Sequence, residues 1–199
     1  MAAAPRSPDP NKPGQEGAVL VMQYIEGYVY RTYGLRRAGY SNIEALCSKA
    51  RQMEAESGTG SQDPEDYPML ETLMKACQQT GYVCNGTGAS ALDLEVGYIK
   101  NQINDLKYFI RQYGQLIIET KLTTSTYNQY DYTIAEVGED LGYDEYSKGF
   151  IAYGYNGDYM YIQNTLGPFA GMLGFHRVPW SIVPQLVYRG ACWRLRNPS

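Results

Sequence analysis

Hydrophobic positions recur at helical spacing through the first two thirds of the chain. Residues 18–33, AVLVMQYIEGYVYRTY, place Val21, Ile25, Tyr28 and Thr32 on one stripe, with Leu20, Tyr24 and Val29 beside it. That spacing predicts a helix, although Gly27 and the β-branched residues weaken it. Ser41-Asn42-Ile43-Glu44 reads as a capping box. It opens a second predicted helix through Leu46, Cys47, Ala50 and Met53, closed by the loop ESGTGSQDPED. A third helix is expected from Asp66 or Tyr67 through Leu70, Leu73, Met74 and Cys77 to Gly81, followed by a loop, VCNGTGAS.

The most regular pattern lies at 92–117. Leu92, Val96, Ile99, Ile103, Leu106, Ile110, Tyr113 and Ile117 alternate spacings of four and three, a heptad seam. It predicts one long helix, the spine of a bundle, that can also pair with a second copy of the chain. Ile134, Val137 and Leu141 predict a further short helix. The fold expected is therefore mainly α, a bundle of about four to five helices. A flexible arm (1–16) precedes the bundle (17–142). An irregular Tyr-, Gly- and Pro-rich region (143–199) follows it and ends in a basic aromatic tail.

Within that last region the pattern changes. In FIAYGYNGDYMYIQ, residues 150–163, bulky residues alternate on both sides of Asn156-Gly157. This predicts a β-hairpin with a two-residue turn whose residues both take positive φ. In that register Tyr155, Tyr153 and Ile151 share a face with Asp158, Met160 and Ile162. A short helix capped by Asp158 competes with the hairpin. Either form is apolar on both sides, so it needs cover from the body and from a partner.

Composition adds one unusual feature and one asymmetry. Twenty of the 199 residues are tyrosine, against 4 phenylalanines. A large ring with a polar tip suits half-buried surfaces and interfaces. The net charge is −4, yet residues 159–199 hold four arginines and no acid, which leaves −8 on residues 1–158. A basic aromatic end on an acidic body suits docking onto an acidic surface, of a partner, of the chain itself or of a phosphate polymer. The overall acidity argues against nucleic acid.

Chemistry is sparse. The apolar runs fall short of the about 20 residues needed to span a membrane, and the N-terminus has no secretory-signal pattern, which favours an intracellular setting or a large assembly. Cys47, Cys77, Cys84 and Cys192 form no C-x-x-C and have a single histidine, His176, for company, so no metal set is expected. Cys77 and Cys84 can close a short loop under oxidising conditions; four reduced, mostly buried thiols are the plainer expectation. His176 reads as a turn residue before Arg177. Glu136, Glu139, Asp140, Asp144 and Glu145 read as a solvated acidic face, and the glycine-rich runs lack the lysine of a phosphate loop.

No catalytic, cofactor-binding or metal-binding residue is assigned. The function expected is a non-catalytic structural or accessory subunit of a larger protein assembly. Its partner contacts are placed at Tyr153, Tyr155, Tyr159 and Tyr161, and in the tail at Trp193, Arg194 and Arg196. Trp180 is expected to pack back on the chain's own core. The alternative is a ligand-binding module or enzyme with a tyrosine-lined pocket for a sugar or other cyclic ligand, and the third is a secreted effector or toxin.

Overall fold

The computed structural model describes residues 15–33, 43–60, 68–80, 82–84, 87–90, 93–99, 103–122, 128, 130–135 and 149–196. The side chains of 28–30, 32–33, 80–99, 188–189 and 191–196 are not among them. By internal packing the chain divides into two units, one built on Ser7–Glu95 and the other on Val96–Trp193.

The first unit is helical. Helix α1 spans Glu16–Tyr33, α2 Ile43–Ser57 and α3 Leu70–Thr80. Ten successive residues of α1, Ala18 to Gly27, are buried; a helix apolar on most of its circumference has to be enclosed on most of it. A Cβ at Gly17 would stand 2.9 Å from Leu73 Cδ1, so α1 and α3 approach closely there. Helix α2 ends where Gly58, at φ +70°, turns the chain in the left-handed conformation and Thr59 N–H returns to the Glu54 carbonyl. The buried Glu54 carboxylate accepts the Met69 N–H at 2.6 Å and holds the entry to α3. The capping box lies partly outside the described residues. The expected loop after α3 is instead a strand pair, β1 (Tyr82–Cys84) and β2 (Thr87–Ser90).

The second unit corrects the all-helical expectation. It is built on a six-stranded sheet in the order β3-β8-β4-β5-β6-β7. These strands are β3 (Asp93–Ile99), β4 (Leu116–Thr120), β5 (Gly149–Tyr155), β6 (Tyr159–Gln163), β7 (Phe175–Pro179) and β8 (Val187–Arg196). The long heptad helix does not exist. Its span divides into β3, an 11-residue helix α4 (Ile103–Tyr113) and β4. Two features of the sequence explain this. Leu94, Val96 and Tyr98 alternate with Asp93, Glu95 and Gly97, a period of two laid over the period of 3.5. Gly114, at φ +74°, donates its N–H to the Ile110 carbonyl at 2.7 Å and ends α4. The self-pairing expected of the seam loses its helix.

Helix α4 lays Leu106 and Ile110 on one face of the sheet. There they join Leu116, Ile118, Phe150, Ala152, Met160, Ile162, Val178 and Trp180, with Val183 and Leu186 from α5 (Val183–Leu186). The C-terminal region is therefore regular structure over most of its length. The helix expected around Ile134 falls partly outside the described residues, and its described start is extended: Thr133 bridges to Arg177 in parallel beside β7.

Candidate functional site

The hairpin of β5 and β6 forms, but on another turn and register. Asn156 N–H bonds the Tyr159 carbonyl at 2.9 Å, so Gly157 and Asp158 are the two loop residues. Neither Asn156 nor Gly157 has positive φ. Asn156 instead builds the turn with its side chain: Oδ1 accepts the N–H of Asp158 at 2.9 Å and of Tyr159 at 2.8 Å, and Nδ2 donates to the Tyr161 hydroxyl at 2.8 Å. Tyr155 then pairs with Met160, and a bulge between Ala152 and Gly154 shifts the register beyond it. A one-residue slip exchanges the faces of a strand. Tyr155 shares the core side with Met160 and Ile162, as expected, whereas Tyr153 and Ile151 do not.

The four hairpin tyrosines therefore separate. Tyr155 meets Trp180 edge to face (centroids 5.9 Å apart), and Lys107 Nζ stands 4.5 Å over the Trp180 ring. Trp180 Nε1 donates to the Asn156 carbonyl at 2.9 Å, so this tryptophan does pack on its own core. The opposite face carries Tyr153, Tyr159 and Tyr161, all half-buried, together with Phe175 and Arg177 of β7. Tyr153 lies 5.3 Å from Phe175 and 6.3 Å from Tyr161, centroid to centroid. The Arg177 guanidinium lies 4.3 Å over Tyr159 and 5.1 Å from the Tyr132 ring, and its Nε donates to Thr133 Oγ1 at 2.8 Å. Burial, with the neighbouring phenols of Tyr132 and Tyr161, pushes the Tyr153 hydroxyl up to about 12. Of Trp193, Arg194 and Arg196 only the backbone, in β8, is described.

His176 is not a turn residue. It lies in β7, fully buried, with Nε2 2.9 Å from Asn164 Nδ2 and Nδ1 2.7 Å from the Asp131 carbonyl. Burial holds its imidazole below the ordinary histidine value, against the opposing pull of the Asp131 carbonyl and charge. Cys47 and Cys77 are reduced and buried, in α2 and α3. Burial raises the Cys47 thiol, with Arg51 opposing and Glu44 assisting, and pushes Cys77 up to about 12. Among the described residues no three metal-ligating side chains gather, and no helix is long and apolar enough to cross a membrane. The acidic run 136–145 and the side chains of Cys84 and Cys192 lie outside the described residues.

No family model and no curated protein sequence matches the chain. Solved structures do. The cysteine protease CMS1MS2 from Carica candamarcensis, in complex with E-64, superimposes with a TM-score of 0.71 at 17% identity, over 98% of this chain and 95% of that one. Xylellain, a cysteine protease from Xylella fastidiosa, gives a TM-score of 0.71 at 12% identity, over 99% and 84%. The chain thus has an α+β fold, that of papain-like cysteine proteases. This fold overturns the mainly α bundle, and the likeness to enzymes overturns the reading as a non-catalytic structural subunit.

Papain-like proteases work with a cysteine, a histidine and an asparagine, the thiolate being favoured at a helix N-terminus beside the imidazole. Cys47 and His176 stand 129 positions apart, close to the about 130–150 residues that separate such a pair in sequence. Cys47 is the fifth residue of α2, buried and with its thiol form favoured, and among the described helices none has a cysteine in its first turn. Both nitrogens of His176 are held inside the sheet unit. Sequence reasoning had not used this spacing, the one signal that could have pointed to a cysteine protease.

Proposed function

We propose that this protein hydrolyses polypeptide chains, on the fold it shares with cysteine proteases. The observation that supports polypeptide as the ligand is the likeness to two cysteine proteases across nearly the whole chain. The group to test first as the base is His176. It is the sole imidazole of the sequence, fully buried and bonded at both nitrogens, and a nucleophilic thiol needs an accessible base within hydrogen-bond reach. The face formed by Tyr153, Tyr159, Tyr161, Phe175 and Arg177 is the contact surface we assign: planar rings and a guanidinium on one side of the sheet suit an extended peptide backbone. Trp193, Arg194 and Arg196, in the C-terminal strand, are proposed as separate partner contacts.

His176 as the base, after its ring is uncovered, and a base other than His176 are the two forms of this reading. One experiment separates the two. The full chain is incubated with a fluorogenic peptide library, and binding (anisotropy) and cleavage (fluorescence release, mass spectrometry) are read together. Cleavage abolished by His176→Gln supports the first, cleavage that survives it supports the second, and affinity weakened about tenfold or more by Tyr161→Ala supports the assigned face. Binding without cleavage, or absence of any peptide binding, overturns both.

A further inference from the structure

Asn164 closes the turn that joins β6 to β7. Its N–H bonds the Gly174 carbonyl at 3.0 Å, and its Oδ1 accepts the Leu166 N–H at 2.8 Å. The amide is therefore oriented: Oδ1 faces Leu166, so Nδ2 faces His176 as a donor at 2.9 Å. An imidazole that accepts at Nε2 carries its proton on Nδ1, which fits the Asp131 carbonyl 2.7 Å away. The hydrogen-bond pattern thus selects one neutral tautomer.

The turn held by this bond is unusual. Phe169, Met172 and Leu173 are 89%, 60% and 69% exposed. Gly167, Gly171, Leu173 and Gly174 all have positive φ, which for leucine costs about 1–2 kcal/mol. Gly171 fits directly against His176, since a Cβ there would stand 2.5 Å from its Cε1. The same ring that bonds Asn164 therefore supports the middle of the turn.

We propose that His176 is an acid-sensitive latch on this turn: protonation at Nε2 opposes two donors, turns the Asn164 amide, releases the Leu166 N–H and loosens the segment that displays Phe169, Met172 and Leu173. The surroundings of the ring fix the direction. Phe150 of β5 meets it edge-on at 6.3 Å, and Ile162 of β6 pairs with it in register. The turn presents Asn164 and Gly171, and the 130–135 segment presents Asp131, the charged group that favours the imidazolium. Nδ1–H keeps its bond to the Asp131 carbonyl in both protonation states, so the change falls on the Asn164 side.

The 199-residue chain has one histidine, so its ring can be followed by ¹⁵N NMR without assignment. The expected result is a neutral ring protonated at Nδ1 near pH 7.5. On acidification, hydrogen exchange of the 164–174 segment, corrected for intrinsic rate, should rise about tenfold or more with the midpoint of the ring's titration. In His176→Gln the same segment should show no such rise. Should that variant fail to fold, coincidence of the two wild-type midpoints decides alone. A neutral ring protonated at Nε2, or exchange unchanged through the titration, overturns the latch.

Discussion

Asn156 shows how one side chain can build a turn in a way its neighbours do not announce. Three hydrogen bonds converge on its amide, two from backbone N–H groups and one to a tyrosine hydroxyl. Replacing it with alanine leaves those groups to water and should destabilise the protein by about 1–2 kcal/mol, read as a lower urea midpoint with unchanged slope. Gly171 is a harder constraint. A Cβ there would lie 2.4 Å from the Phe175 carbonyl oxygen, in a backbone conformation at φ +56°. Gly171→Ala should cost about 3 kcal/mol or more, with a parallel fall in thermal midpoint. Cys77 offers a chemical check on burial. A thiol raised to about 12 is almost wholly protonated at pH 7.5, so native Cys77 should alkylate with iodoacetamide far more slowly than in urea. Equal rates in both conditions would contradict its placement.

At the scale of elements, the first three helices and the hairpin were legible, although β-branched residues weakened the first helix and a short helix competed with the hairpin. The helices at 16–33, 43–57 and 70–80 followed from apolar spacing and from breakers at their ends. The hairpin at 149–163 followed from alternation, although its turn did not. The 92–117 seam failed because heptad spacing and strand alternation overlapped there, and the stop at Gly114 decides between them. The tail failed for a different reason. Pro179 closes β7 and Pro184 sits in the first turn of α5, where each is tolerated, so prolines that argued against regular structure mark the ends of elements instead. The candidate site was half legible: the tyrosines were named, but which of them share a face depended on the bulge at Ala152–Gly154, and long-range pairing sets that register. Arg177 joins elements that no local pattern connects. Arg177→Lys keeps the charge and loses the planar stacking between Tyr132 and Tyr159. It should cost about 1 kcal/mol, seen as faster amide exchange at Ile134.

For the whole molecule the buried imidazole sets a pH dependence. The folded-state value of His176 is depressed, so the unfolded chain binds the proton first as pH falls. The contribution is fully present above the ordinary histidine value of about 6.5. It is lost on acidification at up to about 1.4 kcal/mol per pH unit until the folded value is reached. Urea midpoints measured at pH 7.5, 6.5 and 5.5 should fall in that order, and His176→Gln should flatten the lower part of the curve.

The pairing of residues 132–134 with β7 has a consequence for behaviour in solution. Arg177 N–H bonds the Tyr132 carbonyl at 2.9 Å, and Ile134 N–H bonds the Arg177 carbonyl at 3.0 Å. These bonds occupy backbone groups that an outermost strand would otherwise offer to a neighbouring molecule. A short extended segment thus opposes addition of another chain at the β7 edge of the sheet. Its detachment would turn the same strand into a template for polymerisation, and the concentration at which the protein stays monodisperse becomes a measure of how firmly that segment is held.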